Sequence, residues 1–287
     1  ARMYELLNTA GADGKFGLDN TEAAKTAYLR AAEYRNTNWF DKLFQTGVMQ
    51  NHAVSLSTGS DKASYYASIS VLSDPGWMKF SHNDRYTANL NANYKLSQKV
   101  SFNLIVNGAY RQGRTPGNMD PLTGKVSSDL ELNPYSYALN TSRTLDPKVA
   151  YRYRYAPMNI FEELENNYTD SHIGDIKIQG RLSWLITPKV EATALGAIKY
   201  QSISHELNQT EQSNIARAYR AADNLNMLKN NEFLYEDPYD DFDVKRTVLP
   251  EGGIREKSES LLSGKDFRAT LSYKDAFEGG KHKIQLL

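Results

Sequence analysis

The loop segments of this sequence place aromatic side chains next to basic ones, a combination that can bind ligands. Tyr151, Tyr153 and Tyr155 alternate with Arg152 and Arg154. A tyrosine ring beside an arginine can stack on a sugar face or grip a peptide. The same rings can instead pack the loops together or form a protein contact. Both interpretations stay open, and the three tyrosines are candidate ligand contacts.

A second candidate is an acidic run, which could attract calcium because hard cations bind several carboxylate oxygens. It consists of Glu236, Asp237, Asp240, Asp241 and Asp243. The run lacks the spacing and the glycine of an EF-hand, so a solvated loop is the alternative interpretation. We therefore predict no cofactor and no bound metal.

No arrangement of residues in the sequence is typical of a catalytic site. The five histidines form no H-E-x-x-H pattern and no i, i+4 pair, and the chain has no cysteine. A complete phosphate-binding loop and a G-x-S-x-G motif are also missing from the sequence. We therefore predict that the protein is not an enzyme.

The composition excludes several further classes of protein. The 34 basic residues balance 34 acidic ones, which gives no electrostatic reason to expect nucleic acid as a partner. The mean hydropathy is −0.61, and no run approaches the ~18 to 20 apolar residues of a membrane-spanning helix. The 19 tyrosines suit a place where apolar and wet environments meet.

Apolar and polar residues alternate with a period of two in the middle of the chain, which predicts strands with two different faces. Across residues 86–96, Leu90 and Ala92 lie on the apolar face, while Asn89, Asn91 and Asn93 lie on the polar face. The pattern restarts after a short turn and continues through residues 100–111. These segments form one predicted hairpin.

A second hairpin is predicted over residues 176–186 and 190–200. Lys177 and Arg181 belong to its polar face, and Leu182 and Trp184 to its apolar face. A weaker hairpin precedes the first, and another one follows residue 266. The four hairpins predict eight strands, and the polar residues Asn89, Asn91, Asn93, Lys177 and Arg181 are candidate ligand-facing groups.

The links between the predicted strands alternate between short turns and long loops, the latter near residues 112–174 and 202–266. Outer-membrane barrels have short periplasmic turns and long extracellular loops. We therefore predict an all-β fold, an antiparallel transmembrane β-barrel segment. A soluble sheet with one buried face would alternate in the same way. A closed eight-stranded barrel is a poorer match, because its narrow interior would be strongly polar.

The predicted organisation has two parts. Residues 1–50 form an extracellular loop with a short helix that begins after Asp19-Asn20-Thr21, and residues 51–287 form the barrel segment. Neither end of the sequence looks like a natural terminus, so we expect an internal piece of a longer protein.

One run of residues resembles a known family. It contains Asn38-Trp39-Phe40-Asp41, Gly47, Gln50-Asn51-His52, Gly59 and Tyr65-Tyr66-Ala67-Ser68. This run is similar to an early part of the barrel in SusC/RagA-type TonB-dependent transporters, and it covers about forty residues. Residues 53–58 and the connection at residues 74–77 depart from the family pattern, while the rest of the chain agrees only as barrel hairpins.

The resemblance implies a 22-stranded outer-membrane barrel of a Gram-negative bacterium that imports a large nutrient with energy delivered through TonB. It also implies a SusD-like surface lipoprotein as a partner and an N-terminal plug. The plug, the TonB-contacting region and the remaining strands would lie outside this sequence. By family analogy, we favour an oligosaccharide over a peptide as the nutrient.

Two other functions remain possible on the sequence alone. A surface or soluble β-rich carbohydrate-binding module would pack the Leu90 face against a second layer, whereas a barrel leaves that face bare in a band of ~25 Å. A passive porin-like channel would need neither a plug nor a lipoprotein partner.

Overall fold

One antiparallel sheet of eight strands dominates the computed structural model, which describes residues 2–11, 13–117, 132–222, 225–239, 244–277 and 282–286. The strands of the chain are β1 (Gln50–Gly59), β2 (Ala63–Asp74), β3 (His82–Lys95), β4 (Val100–Pro116), β5 (Tyr151–Tyr153), β6 (Ala156–Met158), β7 (Asn167–Thr187), β8 (Val190–Gln209), β9 (Ile254–Phe277) and β10 (His282–Leu286). The sheet order β1-β2-β3-β4-β7-β8-β9-β10 follows the chain, and β5 and β6 form a separate hairpin.

The eight predicted strands are therefore confirmed, and each pairs antiparallel with its neighbour in sequence. In the part of the chain that the structure describes, β1 and β10 form the two edges of an open sheet. Closure of the sheet into a barrel remains a prediction.

The strands are longer than the hydrophobic pattern suggests. The apolar alternation ends at Tyr110, but β4 continues to Pro116 and pairs there with the first residues of β7. Polar side chains such as Gln112 and Arg114 occupy this outer end of β4. Backbone pairing therefore continues there although the strand no longer has an apolar face. As a result, the long connections span residues 117–166 and 210–253, shorter than the predicted 112–174 and 202–266.

The helices are short and lie in the segments outside the sheet. They are α1 (Arg2–Asn8), α2 (Glu22–Glu33), α3 (Trp39–Leu43), α4 (Pro134–Asn140), α5 (Ile160–Asn166), α6 (Asn214–Ala218) and α7 (Leu225–Asn230). The predicted helix is α2, and the Thr21 hydroxyl accepts a hydrogen bond from the amide of Ala24 as its N-cap. Among the described residues, every helix is too short or too polar to cross a membrane.

The main buried cluster lies in the loops and not on the sheet. Trp39 and Leu43 of α3 pack with Ala138 of α4 and with Ile160 and Leu164 of α5. The indole of Trp39 also donates a hydrogen bond to the carbonyl of Ser142, at 3.1 Å. The first fifty residues and the loop after β4 therefore share one core, which we call the loop lobe.

Two residues of the run that carries the family resemblance, Trp39 and Gly47, have structural roles at the junction of loop lobe and sheet. Trp39 is buried in the loop lobe, and Gly47 packs against the turn before β3. A β-carbon at Gly47 would lie 2.6 Å from the carbonyl oxygen of Gly76, so only glycine fits there. Gly76 itself has a φ of 68°, which also favours glycine.

Candidate functional site

The five polar candidates on the strands share one face of the sheet. Residues directly opposite each other on paired strands point to the same side. Asn89 pairs with Asn107, which pairs with Lys177, and Asn93 pairs with Asn103, which pairs with Arg181. Asn91 shares the side of Asn89 and Asn93 because strand side chains alternate. We call this surface the polar face.

In the rows of the five candidates, the side chains on the polar face of β1–β4 are uncharged and several are joined by hydrogen bonds, whereas Arg85 and Arg111 lie opposite each other nearer the long loops. The amide of Asn103 donates to the side-chain oxygens of Asn91, at 2.8 Å, and Asn93, at 2.7 Å. Asn89 and Asn93 in turn donate to the hydroxyls of Ser68 and Ser64. This part of the face offers fixed donors and acceptors that match sugar hydroxyls or peptide groups.

The polar face changes character on β7–β9, where it becomes basic. Lys177 lies directly opposite Lys199 on β8, and Leu195 on β8 lies between Arg181 and Arg268. All four basic side chains are exposed. Lys199 and Arg268 were not among the sequence candidates. The alternation of apolar and polar residues predicts that Lys199 and Arg268 lie on the polar faces of their own strands. The cross-strand register that brings them next to Lys177 and Arg181 cannot be read from the sequence.

The opposite face of the sheet is apolar and bare. Leu90, Val106, Ile178 and Ile198 form one cross-strand row. Leu90 is 36% exposed and Ile198 56% exposed, and Leu182 and Trp184 are also exposed. No second layer of the described residues covers this face. Ten residue steps along β4, from Val100 to Tyr110, span ~33 Å, which gives a height of ~25 Å at a tilt of ~40°.

Aromatic side chains border this apolar band. At one end, the ring of Tyr110 stacks between those of Tyr86 and His172, with centroid distances of 6.4 and 6.2 Å. At the other end, Tyr94 pairs with Phe102, and Trp184 lies one row further out. Aromatic girdles of this kind flank the lipid-facing band of outer-membrane barrels.

Beyond the Tyr86 end of the band, ion pairs replace apolar contacts on the same face. Arg114 pairs with Asp170, and Arg255 pairs with Glu206 at 2.5 Å. The hydrogen bond from Arg255 lowers the pKa of Glu206, and the hydrogen bond to Asp170 raises the pKa of Arg114. These charges belong in water, so the strand ends near the long loops would project beyond the apolar band.

The three loop tyrosines lie on or beside the β5–β6 hairpin and are half-buried. The hydroxyl of Tyr151 accepts a hydrogen bond from the amide of Asp146, at 2.7 Å. Tyr155 donates to the carbonyl of Asn230 and packs edge-on against Phe233, so it joins two loops. Tyr151 and Tyr153 line a hollow of about 560 Å³ together with polar residues of α4 and its flanks, namely Asn133, Ser136, Asn140, Thr141 and Ser142. The structure thus places Tyr155 in loop packing and leaves Tyr151 and Tyr153 at an open hollow.

Tyr137 also lines this hollow and packs edge-on against Trp39, with a centroid distance of 5.4 Å. Burial raises its pKa to about 12, partly offset by a hydrogen bond with Thr141. Its ring therefore stays neutral at any physiological pH.

The acidic run lies only partly within the described residues, because Asp240, Asp241 and Asp243 fall outside them. Glu236 forms an ion pair with Lys245 at 3.6 Å, and Asp237 accepts a hydrogen bond from the amide of Tyr239. Among the described residues, no group of three or more histidines and carboxylates is placed to hold a metal ion. Calcium binding at this loop stays an untested alternative.

Two curated proteins of Formosa agariphila are similar to the chain in sequence. TonB-dependent receptor P26 is 32% identical over 77 residues, which is 27% of the chain and 8% of that protein. TonB-dependent receptor P3 is 22% identical over 257 residues, which is 88% of the chain and 22% of that protein. No protein-family model matches the sequence.

The fold is similar to that of solved transporters. The RagAB peptide transporter superposes with a TM-score of 0.60 at 17% identity, over 90% of the chain and 26% of the solved one. The RagAB peptide importer in its closed-closed state gives 0.59 at 18% identity, over 85% and 24% of the two chains. The resemblance to SusC/RagA-like TonB-dependent transporters is confirmed.

This SusC/RagA-like chain spans about a quarter or less of the length of the relatives and solved chains just described. Those proteins are named as receptors and importers, which supports the prediction that the chain has a role other than catalysis. The sheet that carries the polar face and the apolar band is thus similar in fold to part of the solved RagAB transporters.

Proposed function

We propose that this chain is part of a TonB-dependent outer-membrane importer of a large nutrient in a Gram-negative bacterium. The observation that carries the proposal is the bare apolar band of Leu90, Ile178, Leu182 and Ile198, which is bordered by aromatic rings and backed by a polar face. A sheet whose large apolar side chains face outward is stable when lipid covers them. The polar face would then line the interior of a larger barrel of 22 strands.

The soluble carbohydrate-binding module is the weaker candidate. It requires a second layer against the Leu90 face, and none of the described residues supplies one. The passive channel is disfavoured by the likeness to proteins named as TonB-dependent receptors. Active import would use the plug and the TonB-contacting region, which belong to the whole protein.

We favour an oligosaccharide as the nutrient. The side-chain amides of Asn89, Asn91, Asn93 and Asn103, with the hydroxyls of Ser64 and Ser68, form a wall that can exchange hydrogen bonds with sugar hydroxyls. Tyr151 and Tyr153 at the open hollow can stack on sugar faces. A peptide is the second candidate, because the solved neighbours are named as a peptide importer and a peptide transporter.

A SusD-like surface lipoprotein is the proposed partner on the loop side. The support for this partner is the resemblance to SusC/RagA-type transporters, which implies such a lipoprotein. The loop lobe supplies the surface, because it rises from the strand ends that project beyond the apolar band. We propose no cofactor.

The test is to fractionate cells that produce the full-length protein and to purify it in mild detergent. We expect recovery from the outer membrane with a stoichiometric lipoprotein, and nutrient uptake that stops when TonB is deleted. Recovery as a soluble monomer would contradict the barrel. Uptake that persists without TonB would favour the passive channel, and binding of peptides but not oligosaccharides would favour the second nutrient.

A further inference from the structure

We propose that the basic part of the polar face binds anionic groups on the nutrient, so that the imported oligosaccharide is an acidic one. This inference rests on the proposed function, which places the polar face in the interior of the barrel. It assigns a ligand class and a set of contact residues, namely Lys177, Arg181, Lys199 and Arg268.

The first step is that the four cations form one compact patch. Lys177 and Lys199 are directly opposite each other on β7 and β8. Arg181 and Arg268 flank Leu195 from the two neighbouring strands. Four residues along a strand span ~13 Å and two strand spacings span ~10 Å, so the patch is large enough for several sugar units.

The second step concerns the missing counter-charge. Among the described residues, none of the four cations forms an ion pair or a hydrogen bond. Arg114, Arg217 and Arg255, by contrast, each have an acidic partner within 4.0 Å. The acids on the same face at these levels are Asp175 and Asp266, two against four cations.

Like charges directly opposite each other on paired strands are unfavourable. Repulsion between Lys177 and Lys199 therefore destabilises the sheet when no ligand is bound, and an anion between the two ammonium groups would remove this repulsion. Charge-assisted hydrogen bonds to a carboxylate or a sulfate are stronger than neutral ones. The patch thus has the chemistry of an anion-binding surface.

The third step is the contrast with the neighbouring strands. At the same levels of the polar face, every described side chain of β1–β4 is uncharged, from Ser64 and Ser68 to Asn103 and Asn107. A ligand that lies across both parts would place hydroxyls on the amides and anions on the cations. An oligosaccharide with carboxylate or sulfate-ester groups carries both kinds of group in one molecule.

The experiment measures binding by calorimetry to the full-length protein in detergent. The probes are oligogalacturonates, sulfated carrageenan oligosaccharides and neutral malto-oligosaccharides of equal length. We expect at least one acidic probe to bind more tightly than the neutral one, with an affinity that falls as salt rises. Whichever acidic probe binds distinguishes a carboxylate from a sulfate ester.

The variant K177Q/K199Q should weaken binding of the acidic probe about tenfold and leave any binding of the neutral probe unchanged. The control is K257Q, which removes one lysine from the opposite face of β9 and should change neither affinity. The thermal unfolding of each variant in detergent shows whether it is folded.

Three results would overturn the inference. The first is that the acidic probes bind no more tightly than the neutral probe, or do not bind at all. The second is that the affinity for an acidic probe does not fall as salt rises. The third is a K177Q/K199Q variant with altered thermal stability but unchanged affinity, because the counter-charge would then come from another part of the protein. A protein that resides in the outer membrane and imports neutral sugars through TonB would leave the proposed function intact while this inference fails.

Discussion

The guanidinium of Arg114 donates two hydrogen bonds to the carboxylate of Asp170, at 2.7 and 2.9 Å, and lies 3.7 Å from the centre of the Tyr168 ring. This contact joins the outer ends of β4 and β7, beyond the aromatic border of the apolar band. It adds a side-chain contact to the backbone pairing of the two strands at this level.

Substitution of Arg114 by lysine should loosen these strand ends, because an ammonium cannot form the two-pronged contact. We expect a local loss of about 1 kcal/mol, since the two side chains are 35% and 24% exposed and solvent screens the pair. Hydrogen exchange of the amides in residues 110–116 and 168–174 should then be about fivefold faster. Arg111→Lys, on the polar face without such a contact, is the control, and equal exchange in both variants would contradict the assignment.

Arginine substitutions at two adjacent positions test the orientation of the sheet. Leu90→Arg places a charge on the apolar band, where a cation near the bilayer centre costs about 2–4 kcal/mol. Asn91→Arg places the same charge on the polar face, where water or ligand can solvate it. We expect the amount of folded outer-membrane protein, measured by heat-modifiable mobility on gels, to fall sharply for Leu90→Arg alone. The reverse order would mean that the faces are assigned the wrong way round.

The buried carboxylate of Glu163 organises the junction of α5, β7 and α6. It accepts hydrogen bonds from the side-chain amide of Asn167, at 2.8 Å, and from the backbone amide of Asn214, at 2.6 Å. Glu163→Gln turns one acceptor oxygen into a donor that faces an N–H group, which should lower the free energy of unfolding of the loop lobe by about 1–3 kcal/mol. Limited proteolysis in detergent measures this loss.

The control for Glu163 is Glu162→Gln on the same helix. Glu162 is exposed and forms an ion pair with Arg217 at 3.1 Å, a type of contact that contributes little in water. We expect its protease resistance to match that of the wild type. Equal sensitivity of the two variants would show that burial of the Glu163 carboxylate has no special role.

Two adjacent glycines before β9 should respond differently to alanine. A β-carbon at Gly253 would lie 2.1 Å from the carbonyl oxygen of Gln209, so the backbones of β8 and β9 would have to separate. Gly252 has a φ of 75° but open space around it, so alanine there costs only the backbone strain of about 1 kcal/mol. We expect the lower thermal unfolding temperature for Gly253→Ala, and a larger effect at Gly252 would contradict the close approach.

The stability of the loop lobe should depend on pH in the alkaline range through Tyr137. Its pKa is about 12 in the folded protein and ~10 in an unfolded chain, because burial disfavours the phenolate. The neutral ring therefore contributes its full stability below pH ~10, and that contribution is lost as the pH rises toward 12. Between pH 9 and 12, the thermal unfolding temperature should fall less steeply for Tyr137→Phe than for the wild type. Identical slopes for the two proteins would argue against this residue as the cause.

The sequence was sufficient to predict the strands in the middle of the sheet, because one face of each meets an apolar environment and the other a polar one. Asn89, Lys177 and Arg181 were placed on the same kind of face for this reason, and the register confirms it. The outer ends of β4, β7, β8 and β9, near the long loops, were missed because backbone pairing and ion pairs such as Arg255–Glu206 stabilise these ends. Periodicity carries no signal for such contacts.

The loop lobe was the least predictable part. The packing of Trp39 against α4 and α5 joins segments about a hundred residues or more apart, and no local pattern encodes such a contact. The same holds for Tyr155, whose role depends on Asn230 and Phe233 in another loop. The Lys199 and Arg268 members of the basic patch likewise emerge only from cross-strand register.

The order of the sheet follows the order of the chain, and this has a consequence for how the protein assembles. Each strand pairs only with its neighbours in sequence, so the short-turn hairpins β1–β2, β3–β4 and β7–β8 can form early from local contacts. The pairings of β4 with β7 and of β8 with β9 close the long connections 117–166 and 210–253, at an entropic cost that grows only slowly with length. Folding can therefore proceed by docking preformed hairpins side by side. Substitutions in the long connections should then alter ligand contacts far more than they alter the folding rate.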